Sequence, residues 1–468
     1  MTATPARHET YDVVVVGAGL SGLQAAQIVQ AAGFKVCVVE AIDRVGGKTL
    51  TAKSCEKGFN DLGASWINDT NQSEMFKLYQ RYGIDTEVQR DRGHTLIQSA
   101  EGSVVKVPYG ELPGDPNALL DLLQVFRDEC SLIDLDDPTS SARAREIDQL
   151  TFRDFCIGKI QSESAVTIAD VLSVSLLGVE SYEVSALFML LYFKSGAGID
   201  NIISDQKNGG QYLRNRQGNQ TIARKMAEEL GPGVVLLRQP VTSIDQSRRG
   251  HCVVQTQGGA TFECQRVIVS VPSSLYHKIE FNPPLPEKKL ALSENTTTGY
   301  YTKVVYVFKE PWWQKAGFSG VLDSEKGPII FSRDTSVPVD DQWAITCFMA
   351  GDKGRQWSKM PRASRHQQAW EQFSRAFSQY VEVPQPVNVL EMEWTKEAYF
   401  LGAPCPITTP GTLSIVGKDI AAPFGHVHFV GTETSRVWRG YMEGAIQSGQ
   451  RGGAEVVKAL STDPTSRL

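Results

Sequence analysis

Four residues near the start of the chain have the types and spacing of a dinucleotide-binding site: Gly17, Gly19, Gly22 and Glu40. Gly17 permits a tight turn, Gly19 lets the backbone approach a pyrophosphate, and Gly22 lets a helix pack closely on a strand. Backbone N–H groups at the start of that helix would attract phosphate charge, and Glu40 can accept hydrogen bonds from a ribose 2′-OH. This spacing predicts that the chain binds a dinucleotide, but it does not distinguish NAD from FAD.

A second candidate for chemistry is the lysine inside the apolar segment of residues 300–308, which reads YYTKVVYVF. Alternation along a strand would place Tyr301, Lys303, Val305 and Val307 on one face. A lysine in such a segment must either reach solvent or meet a polar partner. On composition alone we expect an edge strand whose lysine extends into water.

The three glycines lie between two short apolar segments that are typical of strands buried on both faces. These are residues 12–16 and 35–39, and the residues between them carry apolar side chains at helical spacing as far as Gly33, which can end a helix. The order strand–helix–strand predicts the α/β class with a Rossmann-like parallel sheet. In that context the glycine motif is far more specific than it would be alone.

Length and composition narrow the class of protein and the kinds of partner. The chain has 468 residues, of which 41% are hydrophobic and 21% charged, so we expect two or three ordinary globular domains. The net charge of −6 argues against nucleic acid as a partner. The eight cysteines are scattered without a Cys-x-x-Cys pair, so we expect no metal site. No apolar segment approaches the roughly 20 residues of a membrane span, and we expect none.

Further along the chain, the hydrophobic period changes from strand to helix and back. We expect helices at residues 117–130, 151–159, 165–177, 182–194, 218–230 and 362–380. We expect strands at residues 238–245, 252–257, 260–264, 266–272, 300–308 and 342–350. The changes predict a helical insertion, after which the chain returns to the dinucleotide-binding domain.

Two glycine-rich segments, residues 40–48 and 61–66, resemble the flavin-containing amine oxidases. The monoamine oxidase branch of that family, including its soluble fungal-type members, is similar at residues 183–187, 202–211, 302–313 and 427–445. The resemblance implies an amine oxidase or glutathione-reductase-like fold of two domains. It implies a Rossmann-like FAD-binding domain at 1–85, 206–290 and 392–468. The α+β substrate-binding domain would then comprise residues 86–205, with the helical insertion, and 291–391.

The same resemblance implies that FAD is the cofactor and that two dozen residues hold it. They are Gly17, Gly19, Leu20, Ser21, Gly22, Glu40, Ala41, Arg44, Gly46, Gly47, Lys48, Gly63, Ala64, Ser65, Trp66, Val241, Trp394, Gly431, Thr432, Glu433, Gly440, Tyr441, Met442 and Ala445. The family usually has arginine where this chain has Lys48, so a bidentate fork is replaced by a point charge. A helix that begins near Gly444 would direct its positive end at the negative charge of reduced flavin.

For catalysis, the resemblance implies roles for Lys303 and Tyr441. The lysine would hold a water against flavin N5 and assist reoxidation by dioxygen, since a fixed positive charge favours the formation of superoxide. Tyr441 would stand before the flavin face as one wall of an aromatic slot. The substrate pocket would be lined by Ile203, Gln211, Phe400 and Pro404.

The segment after Trp394 departs from the mammalian-type relatives, which attach the flavin to a cysteine there and follow it with a tyrosine. Cys405 falls two residues late when counted from Trp394, in a Pro-Cys-Pro context, and the tyrosine is missing. Covalent attachment through Cys405 is therefore less favoured than non-covalent binding.

Together these features predict an FAD-dependent amine oxidase that converts an amine to an imine and reduces O2 to H2O2. Two alternatives stay open: an oxidative cyclase or desaturase acting on a bulkier secondary amine or amide, and a protein that binds FAD without turnover. The partners would be a small-molecule amine and O2, with a homodimer left open. Ser466-Arg467-Leu468 resembles the peroxisomal address Ser-Lys-Leu, so we expect a peroxisomal protein, or otherwise a cytoplasmic one.

Overall fold

The computed structural model of the chain describes residues 8–111 and 116–462. In that part of the chain the strands are β1 (His8–Thr10), β2 (Val13–Val16), β3 (Val36–Val39), β4 (Thr51–Lys53), β5 (Phe59–Asp61), β6 (Trp66–Ile67), β7 (Thr86–Val88), β8 (His94–Gln98), β9 (Val104–Pro108), β10 (Leu213–Asn215), β11 (Val235–Leu236), β12 (Val241–Arg248), β13 (His251–Thr256), β14 (Thr261–Cys264), β15 (Arg266–Val269), β16 (Glu280–Asn282), β17 (Thr296–Thr298), β18 (Tyr301–Phe308), β19 (Phe318–Ser324), β20 (Phe331–Asp334), β21 (Trp343–Ala350), β22 (Asn388–Glu393), β23 (Pro406–Thr408) and β24 (Val427–Phe429). The helices are α1 (Leu20–Ala31), α2 (Ser73–Tyr82), α3 (Pro116–Ser131), α4 (Ala142–Asp148), α5 (Phe152–Lys159), α6 (Glu163–Leu177), α7 (Ala186–Ser195), α8 (Ile199–Ile202), α9 (Gln220–Leu230), α10 (Glu287–Glu294), α11 (Trp312–Lys315), α12 (Gly351–Ser358), α13 (Arg362–Ser378), α14 (Thr412–Val416) and α15 (Met442–Thr462).

The strand–helix–strand unit at the start of the chain forms as predicted. All four residues of β2 are buried valines, and alternate members pack into different hydrophobic clusters on the two faces of the sheet. The sheet is five-stranded and parallel, in the order β11-β3-β2-β15-β24. Parallel sheets bury both faces, which is why their strands are apolar throughout.

Helices α1 and α15 cover one face of this sheet and contact each other closely. A Cβ atom added to Gly449 would lie 2.4 Å from the carbonyl oxygen of Ser21, so only glycine permits this approach. The first residues of the two helices, Leu20 and Met442, line the same cavity. The contact therefore brings both helix N-termini to one edge of the sheet.

A second five-stranded sheet has the order β1-β14-β13-β12-β16. It contains the predicted hairpin, in which Val254 pairs with Phe262. The strand predicted from residue 238 begins only at Val241, because Arg238 has a φ of +57° and Pro240 has no backbone N–H. Val241 itself reaches the cavity described below.

The largest sheet has seven strands, in the order β22-β18-β21-β20-β19-β8-β9. Strand β18, which carries Lys303, lies between β21 and β22, so the expectation of an edge strand is wrong. The predicted alternation is confirmed: Val305 and Val307 pack with Leu62, whereas Tyr306 contacts Phe373 of α13 on the other face. Because Leu62 and its neighbours cover this face of the sheet, Lys303 is buried and must find its polar partners inside the protein.

Helices α3 to α8 lie in the segment where the helical insertion is predicted. Helix α7 begins at Ala186 rather than at the predicted residue 182, because the Ser185 hydroxyl accepts a hydrogen bond from the Phe188 backbone at 3.2 Å and caps the helix. Residues 186–193 are all buried, so α7 is a core helix.

Among the helices of the described residues, none combines the length and hydropathy that crossing a membrane requires. The tripeptide Ser466-Arg467-Leu468 lies outside the described residues, so the localisation stays a prediction.

Candidate active site

A cavity of about 1590 Å³ opens where β2, β3 and β15 end, and β18 and β21 form another of its walls. Most of the predicted site residues line it: Gly17, Gly19, Leu20, Ser21, Glu40, Ala41, Gly46, Gly47, Lys48, Gly63, Ala64, Ser65, Trp66, Ile203, Gln211, Val241, Lys303, Trp394, Phe400, Pro404, Gly431, Thr432, Glu433, Gly440, Tyr441, Met442 and Ala445. Gly22, Arg44 and Cys405 are predicted site residues that do not line it.

The three glycines of the first turn serve different purposes. Gly17 has a φ of +103°, a conformation that favours glycine. A Cβ atom on Gly22 would lie 2.1 Å from the Gly17 carbonyl oxygen, so Gly22 permits the helix–strand contact, as predicted. A Cβ atom on Gly19 would have Gly47 Cα, at 4.0 Å, as its nearest neighbour, so a longer side chain there would fill the cavity instead.

Glu40 is buried at the end of β3 and holds the glycine turn in place. Its carboxylate accepts hydrogen bonds from the backbone N–H of Ala18 at 2.6 Å and of Ile42 at 3.1 Å. Burial raises the pKa of Glu40, and the backbone hydrogen bonds oppose that change. The side chain lines the cavity, where its remaining lone pairs can accept a hydrogen bond from a hydroxyl group of a ligand.

Arg44 lies behind the second glycine loop, not on the cavity wall. Its Nη1 donates to the Gly47 carbonyl oxygen at 2.8 Å, and the guanidinium stacks over the rings of Trp394 and Phe400 at 5.8 and 5.7 Å. The structure therefore gives Arg44 contacts within the protein, and the FAD contact that the family resemblance implies for it stays a prediction. Arg44 fixes the loop and two aromatic residues that do line the cavity.

Lys48 brings a buried positive charge to the wall. Its Nζ donates to the carbonyl oxygen of Pro404 at 3.3 Å. Burial lowers the pKa of Lys48, while the neighbouring Cys405 and Glu433 oppose that shift. An anionic group bound nearby would favour the charged lysine further.

Lys303 reaches from the middle of the seven-stranded sheet into the loop that follows β5. Its Nζ donates to the carbonyl oxygens of Asp61 (3.1 Å) and Gly63 (2.5 Å) and to the Ser65 hydroxyl (2.5 Å). The ammonium also lies 5.1 Å from the ring of Trp66. Burial lowers its pKa to about 8, and the Asp61 carboxylate opposes this change. The lysine is thus a fixed, partly desolvated cation at the cavity wall.

Tyr441 stands on the opposite part of the site, packed between two other aromatic residues. Its ring stacks on Tyr192 at 5.7 Å between centroids, with 26° between the planes, and meets the edge of Trp438 at 4.8 Å. Burial raises the pKa of Tyr441, so its hydroxyl stays protonated at neutral pH. Tyr192 was not among the predicted site residues, because it lies in a helix whose every turn is apolar.

The C-terminal segment positions Tyr441 through a short hydrogen-bonded turn. The Thr432 hydroxyl accepts from the Gly440 N–H at 2.7 Å and donates to the Tyr441 carbonyl oxygen at 2.8 Å. Helix α15 begins directly after Tyr441. Its first N–H groups and the positive end of its dipole are therefore held at the cavity.

Cys405 is buried in the protein core, although Ala403, Pro404 and Pro406 around it line the cavity. Its thiol lies near Gly440, where an added Cβ atom would come within 3.0 Å of Sγ. Burial raises the pKa of this thiol to about 12. Because the thiolate is the reactive form of cysteine, this environment does not activate Cys405.

One face of α6 forms a wall that the sequence did not assign to the site. The residues that share this face are Ser164, Thr167, Ile168, Val171, Leu172, Ser175 and Leu176. Tyr301 and a stacked pair, Phe331 and Phe348 at 4.3 Å, complete the apolar surroundings. Helical spacing predicted α6, but nothing in that spacing says which partner its apolar face meets.

Comparison with known proteins gives a consistent result over nearly the whole chain. Residues 20–457 match the profile of the family described as flavin containing amine oxidoreductase. The amine oxidase (flavin-containing) B of Canis lupus familiaris is 33% identical over 98% of this chain and 88% of its own length. A probable flavin-containing monoamine oxidase A of Dictyostelium discoideum is 32% identical over 96% of this chain and 98% of its own length.

Solved structures give the same result for the fold. Putrescine oxidase bound to putrescine has a TM-score of 0.88 and 25% identity, covering 96% of this chain and 100% of its own. Cyclohexylamine oxidase from Brevibacterium oxydans has a TM-score of 0.88 and 26% identity, covering 96% of this chain and 99% of its own. The predicted α/β fold with a second, α+β part is confirmed.

Proposed function

The chain belongs to the family of flavin containing amine oxidoreductases, and we propose that it oxidises the C–N bond of an amine that enters the cavity uncharged. It is an FAD-dependent oxidoreductase acting on amines. The comparisons do not favour an oxidative cyclase or desaturase, nor an FAD-binding protein without turnover.

The residues along the parallel sheet fit FAD. Gly19 leaves open space for the cofactor. The Glu40 carboxylate can accept a hydrogen bond from a ribose hydroxyl, and the backbone N–H groups at the start of α1 can bind phosphate. The start of α15, with Lys48 nearby, suits the flavin end, where negative charge develops on reduction. We assign residues 1–85, 206–290 and 392–468 to FAD, and 86–205 and 291–391 to the substrate.

When bound, FAD supplies the acceptor for a hydride equivalent and passes the electrons to O2, which gives H2O2. The chain's own contribution begins with the state of the amine. The apolar side chains of α6 that line the cavity, together with Phe331 and Phe348, disfavour an ammonium ion, so they select the neutral amine whose lone pair assists loss of hydride. Tyr441 orients the amine by limiting the space in front of it.

Lys303 serves the second half of the reaction. Its charge is fixed by three acceptors at the cavity wall, so it needs no rearrangement when negative charge develops on O2. The imine product leaves the cavity and reacts with water.

We propose that FAD is held without a covalent bond, since Cys405 is buried behind the wall and its pKa is raised. Acid precipitation of purified protein tests this directly. Yellow supernatant with a colourless pellet is expected, whereas flavin retained in the pellet would show attachment. A homodimer stays a prediction.

The observation that carries the proposed function is one cavity whose wall includes both the glycine turn after β2 and Lys303 with Tyr441. The test is a peroxide-release screen over primary, secondary and cyclic amines with purified, flavin-loaded protein. We expect amine-dependent peroxide from at least one class and none from Gly19→Leu, in which the side chain occupies the cofactor's space. If the flavin-loaded wild-type protein released no peroxide with any amine, this result would argue against the proposal.

A further inference from the structure

Asp61 is a partly buried carboxylate beside Lys303 that does not line the cavity. Its backbone carbonyl oxygen accepts a hydrogen bond from Lys303 Nζ at 3.1 Å, while its side chain points toward other partners. The residue belongs to β5, and the lysine belongs to β18 of the seven-stranded sheet. Asp61 is thus held against the lysine by the fold, without a direct ion pair between the two side chains.

The carboxylate of Asp61 has a full set of neutral hydrogen-bond donors. Thr51 Oγ1 donates to Oδ1 at 2.6 Å, the Asn219 backbone N–H donates to the same atom at 2.9 Å, and Asn219 Nδ2 donates to Oδ2 at 3.2 Å. Burial raises the pKa of Asp61 to about 6, and these donors together with the charge of Lys303 oppose that rise, so the carboxyl group is ionised at neutral pH. None of the donors carries a charge that would cancel the field of Asp61 at Lys303.

The other groups that face Lys303 do not replace this charge. Arg214 is a second buried cation, and its Nη2 donates to the carbonyl oxygen of Ser336 at 2.7 Å. The rings of Trp66 and Phe348 lie 5.1 and 5.6 Å from Nζ and attract a cation only weakly compared with a carboxylate. Asp61 is therefore the carboxylate that acts on Lys303, whereas Arg214 interacts with Asp334 and Glu87 as well as with Asp61.

We propose that Asp61 is a positioning residue for the oxygen reaction: its buried charge keeps Lys303 protonated at the cavity wall under working conditions. Its own atoms touch neither cofactor nor substrate, so it acts only through the lysine. The inference rests on the proposed function, in which the charge of Lys303 assists the reduction of O2. Physically, removing the carboxylate charge leaves a desolvated ammonium beside Arg214, and that ammonium loses its proton at lower pH.

The test compares wild-type holoenzyme with Asp61→Asn, Asp61→Glu, Lys303→Met and Glu87→Gln. Glu87 is the matched control, because it is a partly buried carboxylate that interacts with Arg214 but does not face Lys303. Two readouts are taken: the pH dependence of flavin reoxidation after photochemical reduction without amine, and ¹³Cε NMR titration of lysine-labelled protein. The signal that is missing in Lys303→Met identifies Lys303.

We expect Asp61→Asn to lower the titration midpoint of Lys303 by roughly one to two pH units and to move the reoxidation profile equally. Asp61→Glu should restore the wild-type midpoint, and Glu87→Gln should leave it in place. If Asp61→Asn yields no folded protein, Thr51→Val replaces it: loss of the hydroxyl raises the pKa of Asp61 and should shift the lysine in the same direction by a smaller amount.

The outcomes separate this inference from the function on which it rests. An unchanged Lys303 midpoint in Asp61→Asn, or an equal shift in Glu87→Gln, would overturn the role of Asp61 even if Lys303→Met reoxidises slowly. If Lys303→Met reoxidises at the wild-type rate, the oxygen role of the lysine fails instead. A rate loss in Asp61→Asn without any shift in midpoint would indicate a merely structural role and would also overturn the proposal.

Discussion

At the scale of single residues, the cavity wall holds charges in surroundings that disfavour them. Burial lowers the pKa of Lys48 and Lys303 and raises the pKa of Glu40 and Glu433. Each of these groups is kept in place by hydrogen bonds to backbone, which makes its position independent of solvent. Residues with shifted pKa values are concentrated where proteins bind charged ligands or stabilise charge in a reaction.

The contribution of Lys303 can be separated from that of the amine step. Lys303→Met should slow reoxidation of the reduced flavin by roughly 100-fold or more, because the fixed charge beside the oxygen site is lost. Anaerobic reduction by amine should change little. Stopped-flow absorbance of the two half-reactions measures both rates, and equal slowing of both would refute a specific role with oxygen.

Gly19 offers a test of the cofactor site that does not depend on folding. Gly19→Leu should abolish FAD binding while the protein stays folded, because a side chain there meets open space in the cavity and no neighbouring atom closer than 4.0 Å. Gly158→Leu is the control, since its surroundings are also open but lie away from the cavity. Flavin absorbance and circular dichroism report binding and folding. Normal flavin content in Gly19→Leu would show that FAD does not bind at this loop.

At the scale of elements, local periodicity was enough to predict β2, α1, β3 and most helices of the insertion. It could not place β18 in its sheet, because the partners β21 and β22 come from later residues and no local pattern identifies them. The local sequence therefore predicts an edge strand, whereas β18 has a neighbour on each side. For the same reason the sequence does not identify Tyr192 as a site residue, because its helix is apolar on every side and the pattern does not show which side faces the cavity.

Side-chain direction was a second limit. Arg44 and Cys405 lie in the segments that the family motifs indicate, yet neither faces the cavity. Arg44 turns back to its own loop because the Gly47 carbonyl and the ring of Trp394 satisfy it there. Tertiary contacts determine the direction of such a side chain, so a motif can give the position of a residue without giving its role.

The contact between α1 and α15 gives a prediction about stability. Gly449→Ala should lower the free energy of unfolding by roughly 1–3 kcal/mol, because the new methyl group would lie 2.4 Å from the Ser21 carbonyl oxygen and force the helices apart. Gly158→Ala, in the open surroundings of α5, should be neutral or stabilising. Urea unfolding of both variants measures the difference, and equal values would mean that the helices do not pack as described.

At the scale of the whole molecule, the buried lysine links stability to pH. Burial lowers the folded pKa of Lys303 to about 8, from an ordinary value of 10.5. Between these values the unfolded chain holds the proton and the folded protein does not, so stability rises with pH across this interval. The wild type should therefore gain stability relative to Lys303→Met as pH increases from 8 toward 10. Unfolding in urea at several pH values checks this, and a constant difference would contradict it.

The whole molecule also brings two distant parts of the chain to one reaction site. The glycine turn near residue 17 and the aromatic residue at 441 come from opposite ends of the sequence, and Lys303 arrives from a different sheet. The function depends on all three facing one cavity.

The most direct test of that claim is an anaerobic titration of the purified holoenzyme with an amine that releases peroxide. We predict that the visible absorbance of the flavin is bleached by one equivalent of amine and returns when O2 is admitted, with one H2O2 formed per flavin. If the flavin stays oxidised in the anaerobic titration although the same amine releases peroxide in air, the electrons of the amine do not pass through this cavity. That result would contradict the account.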